Sequence, residues 1–225
     1  MLKISPAILT DDVKEAISKV ETIEDALDQH IKNHTDHIQI DIVDGIFAEN
    51  ITIVPEALRD VDTSLYLDFQ LMVREPVDWV ERCVNPSTDR IIGHIEQMSD
   101  QVEFVKKVQS LGCKVGLALD IKTPVYMIDP TILTNLDTVL VLSVPAGFGG
   151  QTFDKRAINK IKQLDEIRAR DDTPYTICDD GGITFEYIDD LRLAGVDEVA
   201  IGEKIYKGDL RENIENFIKR AYDRG

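Results

Sequence analysis

Cysteine, tryptophan and basic residues are all scarce in this chain. Three cysteines (Cys83, Cys113, Cys178) are an odd number at scattered positions with no CxxC pair, which excludes a disulfide scaffold or a thiolate metal knuckle and fits reduced thiols in a cytoplasmic protein. No stretch approaches 18 apolar residues, so neither a membrane span nor a leader peptide is expected. Lysine and arginine number 25 against 42 acidic residues, a net charge of −17, and such a surface repels nucleic acid and anionic membranes. An anionic substrate would therefore need a local device such as a ring of backbone N–H groups. There is no low-complexity segment or linker, and no Gly-x-Gly-x-x-Gly follows the first strand pattern, which argues against a dinucleotide-binding open sheet.

What is present suits a soluble globular protein: 225 residues, 43% hydrophobic and 30% charged, read as one domain over residues 1–225. Short β-branched runs alternate with longer amphipathic ones. Strands are expected at Lys3–Leu9, His37–Ile42, Ser64–Leu71, Arg90–His94, Lys114–Leu119, Asp137–Ser143, Tyr175–Asp179 and Glu198–Ile201. Helices are expected at Asp11–Asn33, Ser99–Leu111 (stopped by Gly112), Asp154–Arg170, Phe185–Ala194 (stopped by Gly195) and Asp209–Tyr222. Shorter ones opening on proline are expected at Pro55–Asp60, Pro76–Val84 and Pro124–Leu133. Eight strands alternating with eight helices is the arithmetic of an α/β fold of the (β/α)₈ TIM-barrel kind.

A barrel carries its chemistry at the C-terminal ends of its strands. There the chain places Gln39 and Asp41 on one face of the second strand, Gln70 and Met72 on the third, His94 on the fourth, and Asp180 closing the seventh. Asp41 and Asp180 are candidates for acid–base work on one small molecule, one removing a proton and the other delivering one to the opposite face; the alternative is that they cap turns or bind buried lysines. Asp44 reads as structural, and Asp179, of opposite parity to Asp180, as a solvated or helix-facing neighbour. Gly147, Gly149 and Gly150 follow the sixth strand, Gly181 and Gly182 the seventh, and Gly202 the eighth. Glycines in three consecutive loops point to a phosphate cradle, the alternative being simple tight turns, and Glu203 stands where its carboxylate would repel a dianion. His94 reads as a structural hydrogen-bonder at the mouth and His37 as core, while His30 and His34 suit the C-terminus of the first helix; no histidine cluster has metal-ligand spacing. Lys122, two residues after Asp120, is a solvated loop residue, since Asp41-Ile42-Val43-Asp44 lacks the lysine of an Asp-x-Lys-x-x-Asp motif.

The ordered set Ile4-Ser5-Pro6-Ala7-Ile8-Leu9, Asp41-Ile42-Val43-Asp44-Gly45-Ile46-Phe47, Leu71-Met72, His94-Ile95-Glu96, Gly116-Leu117-Ala118-Leu119, Gly147-Phe148-Gly149-Gly150-Gln151 and Asp180-Gly181-Gly182-Ile183 resembles the ribulose-phosphate 3-epimerase family along nearly the whole chain. The resemblance implies a homo-oligomeric isomerase without organic cofactor that inverts C3 of a ketopentose phosphate. It implies Asp41 and Asp180 as the acid/base pair, Ser5 and Met72 against substrate, and Gly147, Gly149, Gly150, Gly182 and Gly202 at the phosphate. The family also holds a divalent metal with those two aspartates and two histidines, and here the histidine positions are Gln39 and Gln70. An amide oxygen is a far poorer ligand for zinc or iron than imidazole. The expectation is a metal-free site in which both glutamine amides contact substrate and stabilise the enediolate, the alternative being a weaker site for magnesium or manganese on Asp41 and Asp180. A non-catalytic phosphosugar-binding barrel and an epimerase of an unphosphorylated ketose are the other readings.

Overall fold

Eight parallel strands close on themselves in chain order in the computed structural model, which describes residues 2–171 and 173–222, the side chains of residues 29 and 30 aside. They are β1 Lys3–Ile8, β2 His37–Val43, β3 Tyr66–Met72, β4 Thr88–His94, β5 Lys114–Leu119, β6 Thr138–Leu142, β7 Thr176–Asp180 and β8 Glu198–Ile201, with β1 paired to both β2 and β8. The helices are α1 Val13–Ala26, α2 Gln29–Lys32, α3 Val80–Cys83, α4 Gln101–Ser110, α5 Arg156–Asp171, α6 Ile188–Ala194 and α7 Leu210–Tyr222. This is the (β/α)₈ barrel the alternation predicts, and the three cysteines are free thiols. Among the described residues no helix is long and apolar enough to cross a membrane.

The alternation of side chains along each strand sorts the molecule into two layers. Outward residues such as Ile38, Ile40 and Ile42 of β2 or Leu67, Phe69 and Leu71 of β3 join the helix faces in the main core. Inward residues Ala7, Ile92, Ala118, Leu140, Leu142, Cys178 and Ala200 form a small apolar plug inside the barrel. Gly116 leaves room for it, since a Cβ there would stand 2.5 Å from Thr138 and 2.9 Å from Ile92.

Three expectations need correction. The proline-opened segments are mostly 3-10 turns: Pro55–Leu58 after β2, Pro76–Trp79 leading into the single-turn α3, and Val125–Met127 with Pro130–Asn135 after β5. Such short connections gain little from α-helical bonds, and 3-10 geometry closes them in fewer residues. The long first helix breaks at Leu27, whose extended backbone (φ −96°, ψ 102°) lets it bury, and restarts where the Asp28 side chain accepts from Ile31 N–H at 3.0 Å. The side chain of His30, assigned to that helix end, lies outside the described residues. His34 follows α2 and meets the Tyr222 hydroxyl at 3.0 Å.

The N-terminal ends of the strands are sealed by charge. Arg90 of β4 donates to Asp68 of β3 at 3.0 Å and, bidentately, to Glu198 of β8 at 2.7 and 2.8 Å, and His37 meets Asp68 at 2.9 Å. Asp68, buried with Arg90 and His37 against it, is held below the usual carboxylate range: burial raises it, but their charges and hydrogen bonds outweigh that. His37 is raised: burial lowers it, but its bond to Asp68 together with the charges of Asp68 and Glu198 outweighs that. The expectation that no histidine joins a ligand-like cluster is thereby overturned, since His37, Asp68 and Asp89 bring one ligand atom each within 4.8 Å of one another. The cations already there, Arg90 on Asp68 and Lys114 on Asp89 at 2.9 Å, fill the role a metal would take.

Candidate active site

At the other end of the barrel, a cavity of about 400 Å³ opens between the ends of β1, β2, β3 and β6–β8, lined by Asp41, Met72, Asp180, the glycines 147, 149, 150, 182 and 202, and Glu203. The strand register explains the meeting. Asp41 pairs with Gln70 across β2 and β3, Gln39 sits one inward step below Asp41, and Asp180 ends β7. The Gln39 amide nitrogen lies 2.9 Å from Asp41 Oδ1, 3.0 Å from Asp180 Oδ2 and 2.7 Å from Gln70 Oε1. That inward atom of Gln70 is in turn 2.9 Å from Asp41 Oδ1 and 3.0 Å from Asp180 Oδ2. Four polar atoms from three strands thus form one knot at the floor of the cavity. Gln39 and Gln70, buried beneath the carboxylates, do not themselves line the cavity wall. Ser5, expected against substrate, is also buried, its hydroxyl on the His37 carbonyl at 3.3 Å.

Burial and mutual repulsion shape the two carboxyls. Asp41 is pushed well up, by burial first and by Asp180 second, with the Gln39 bond opposing. Asp180 is pushed up to about 6 by burial, restrained by the Gln39 hydrogen bond. Burial and the repulsion between them thus favour one proton held by the pair over ionisation of both.

These residues do not fit a tetrahedral zinc ion. A tetrahedral ion with bonds of about 2.0–2.2 Å to oxygen would hold its ligand atoms ~3.4 Å apart, whereas these atoms stand at hydrogen-bonding distances. The atom between the two carboxylates is an amide nitrogen, which offers a metal no lone pair.

The glycine loops close the far side of the cavity. Gly182 (φ +64°) packs so tightly that a Cβ would lie 2.5 Å from Phe153 N and 2.7 Å from Gln151 O. The sixth-strand loop is pinned by Gln151, whose amide donates to Pro145 O and Phe148 O, and by Asn50 on Gly147 O. Glu203 reaches over Gly150, with an oxygen 2.7 Å from where a Cβ would be, and pairs with Lys207 at 2.9 Å. Lys204, beside Glu203, lines the same cavity, as do Lys19 and Tyr206, which the sequence pattern did not mark.

Several neighbours fall where the strand ends suggested. Asp44 caps the next turn, accepting from Ile46 and Phe47 N–H at 2.8 Å, and Lys122 is exposed. His94 is fully buried and makes structural hydrogen bonds to Gln70 at 2.9 Å and Glu96 at 3.1 Å. Asp179 is not solvated: it faces the helices, fully buried, takes the Ser143 hydroxyl on one oxygen and leaves the other without a partner. Burial pushes its carboxyl up, opposed by the Ser143 hydrogen bond and by the charge of the buried Lys160. Lys160 was the available signal, because it interrupts the otherwise apolar buried face Ala157, Ile161, Leu164 of α5.

Comparison with known proteins agrees with this geometry. Residues 3–206 match the model of the ribulose-phosphate 3 epimerase family. The ribulose-phosphate 3-epimerase of Bacillus subtilis (strain 168) is 31% identical over 210 residues, covering 92% of this chain and 93% of that protein. The chloroplastic ribulose-5-phosphate-3-epimerase of Arabidopsis thaliana is 34% identical over 208 residues, 90% of this chain and 71% of that one. Among solved structures, KGPDC from Streptococcus mutans superposes with TM-score 0.67 at 13% identity, covering 98% of both chains. The tryptophan synthase α-subunit from Pyrococcus furiosus does so with TM-score 0.62 at 13% identity, covering 98% of this chain and 95% of that one. Both likenesses speak to the fold alone.

Proposed function

Because the chain belongs to the ribulose-phosphate 3-epimerase family, we propose that it inverts C3 of a ketopentose phosphate, and that it does so with a hydrogen-bonded rather than a metal-held enediolate. The observation that carries the second part is the Gln39 amide nitrogen standing within 3.0 Å of both carboxylates. Asp180, the more acidic of the pair, takes the C3 proton. The electron pair left behind moves into the neighbouring carbonyl, whose oxygen becomes negative and is met by amide N–H at the cavity floor; such donors are worth about 3–4 kcal/mol in oxyanion holes. Asp41 then delivers its proton to the opposite face of C3, and the carbonyl re-forms. In the reverse direction the two carboxyls exchange roles.

The glycine loops on the far side take the phosphate, with backbone N–H groups supplying what the acidic surface does not. Met72 lies against the carbon chain. The test is deuterium incorporation: ribulose 5-phosphate in heavy water gains deuterium at C3, and continues to do so after exhaustive chelation. Absence of exchange with every ketopentose phosphate counts against the isomerase; loss of exchange on chelation, restored by a divalent ion, counts against the hydrogen-bonded enediolate. Glu203 over Gly150 favours a second reading, a ketose without phosphate. A higher kcat/KM for a free ketose than for its phosphate would establish it.

A further inference from the structure

Gln39 carries two amide hydrogens and has three acceptors within reach, so something must decide how they are shared. Gln70 is the neighbour that decides, and its own orientation is open at first sight. With its oxygen inward it accepts from Gln39 at 2.7 Å, and its nitrogen lies 2.9 Å from His94 Nε2. Turned over, it directs N–H at both carboxylates and offers its oxygen to His94 Nε2. The two orientations demand different histidines. The first needs a bare Nε2 as acceptor; the second needs a proton on Nε2.

The choice is made one residue further out. The Nδ1 of His94 lies 3.1 Å from Glu96 Oε2, while Glu96 Oε1 accepts from Asp120 N–H at 2.7 Å. Burial alone would favour the neutral Glu96 acid, but the hydrogen bonds from His94, Thr123 and the Asp120 N–H favour its ionised form. An ionised carboxylate facing Nδ1 requires a proton there, because a ring lone pair against it would be repelled. In a neutral imidazole that leaves Nε2 bare. The ring is fully enclosed.

We infer that Glu96 and His94 are positioning residues that lock Gln70 with its carbonyl oxygen inward, so that Gln39 alone supplies the amide N–H that meets the reacting oxygen. The bonds then run in one direction: Gln39 donates to Gln70, Gln70 to His94, and His94 to Glu96. One Gln39 hydrogen is consumed in the chain and the other faces the carboxylates and substrate. The catalytic floor is thereby set from β4, a strand that contributes no group to the cavity wall. This rests on the epimerase reading for its consequence in rate but not for its geometry.

The experiment has two arms. Nitrogen-15 NMR of the wild-type protein at neutral pH reports the His94 ring directly: a protonated Nδ1 with bare Nε2 is expected, and an Nε2–H tautomer or an imidazolium overturns the inference. This arm needs no activity, so an inactive protein, which would refute the epimerase reading, leaves it decisive. In the second arm, Glu96→Gln, nearly isosteric, presents an N–H to Nδ1, moves the ring proton to Nε2 and turns Gln70 over. The expected result is a loss in kcat of about tenfold or more with KM within twofold, substantially recovered in Glu96→Asp, and no further loss when Glu96→Gln is added to Gln39→Leu. Wild-type kcat in Glu96→Gln, or fully multiplicative losses in the double variant, overturns it.

Discussion

Replacing Gln39 by leucine isolates the amide on which the chemistry is proposed to turn. The change keeps approximate volume in a position that is 3% exposed and removes the N–H shared by Asp41 and Asp180. Two separable effects follow. Loss of a donor to the developing oxyanion lowers kcat by about 10²–10³, on the scale of other oxyanion-hole deletions. Independently, Asp180 loses the largest influence that opposes the effect of burial. A hydrogen bond to a charged group is worth about 1.5–3 kcal/mol, and 1.36 kcal/mol is one pKa unit, so its titration moves up by roughly one to two units from about 6. The sign is fixed by the role: Asp180 works ionised, so kcat/KM rises with pH through its pKa, and in the variant that rise comes at higher pH. The assay is the pH profile of deuterium entry into C3 of ribulose 5-phosphate, with folding monitored by circular dichroism. A folded Gln39→Leu protein within threefold of wild-type kcat, or with its acidic limb unmoved, refutes the reasoning.

Three further outcomes are expected. Purified protein carries no stoichiometric zinc, iron or manganese by elemental analysis, whereas the Gln39→His/Gln70→His double variant, which supplies two imidazoles beside Asp41 and Asp180, acquires about one divalent ion per chain; a stoichiometric ion in the wild type contradicts the hydrogen-bonded floor. Gly182→Ala, with φ +64° and backbone atoms at 2.5 and 2.7 Å from the new methyl, distorts the phosphate loop and raises KM for the phosphorylated substrate more than tenfold with kcat less affected; equal KM values dissociate that loop from phosphate. Arg90→Met leaves Asp68 and Glu198 buried without their cation and costs about 3–5 kcal/mol in urea unfolding, while kcat of the folded fraction stays near wild type because the change lies at the other end of the barrel.

The fold was readable because two periodicities alternate along the chain, and proline and glycine punctuate them. Gly112 and Gly195 both adopt positive φ where their helices stop. The candidate site was readable because a barrel gathers the ends of its strands, which brought Asp41 and Asp180 together from residues 139 positions apart in sequence. What stayed hidden depends on lateral register. The Gln70–His94 contact joins adjacent strands whose relative offset no single-strand pattern reveals, and that offset includes a shift near Leu67 and Asp68. The charged seal under the barrel was hidden for the same reason, because it depends on the register of Asp68 against Arg90 across β3 and β4 and on Glu198 arriving from the distant β8. The first helix was over-extended because its apolar spacing continues through Leu27, while the break is imposed by Asp28 capping a new turn.

The seal of Arg90, Asp68, Glu198 and His37, with the apolar plug above it, makes the barrel a blind well. In the proposed mechanism each inversion ends with the hydrogen on the opposite carboxyl from the one that held it at the start, so the form that releases product is not yet the form that accepts the next sugar. With the underside closed, the catalyst resets only through the opening that the sugar itself uses, or by passing the hydrogen sideways between two groups already tied to one amide. Under the proposed mechanism, resetting through that opening and occupancy by sugar compete for the same doorway.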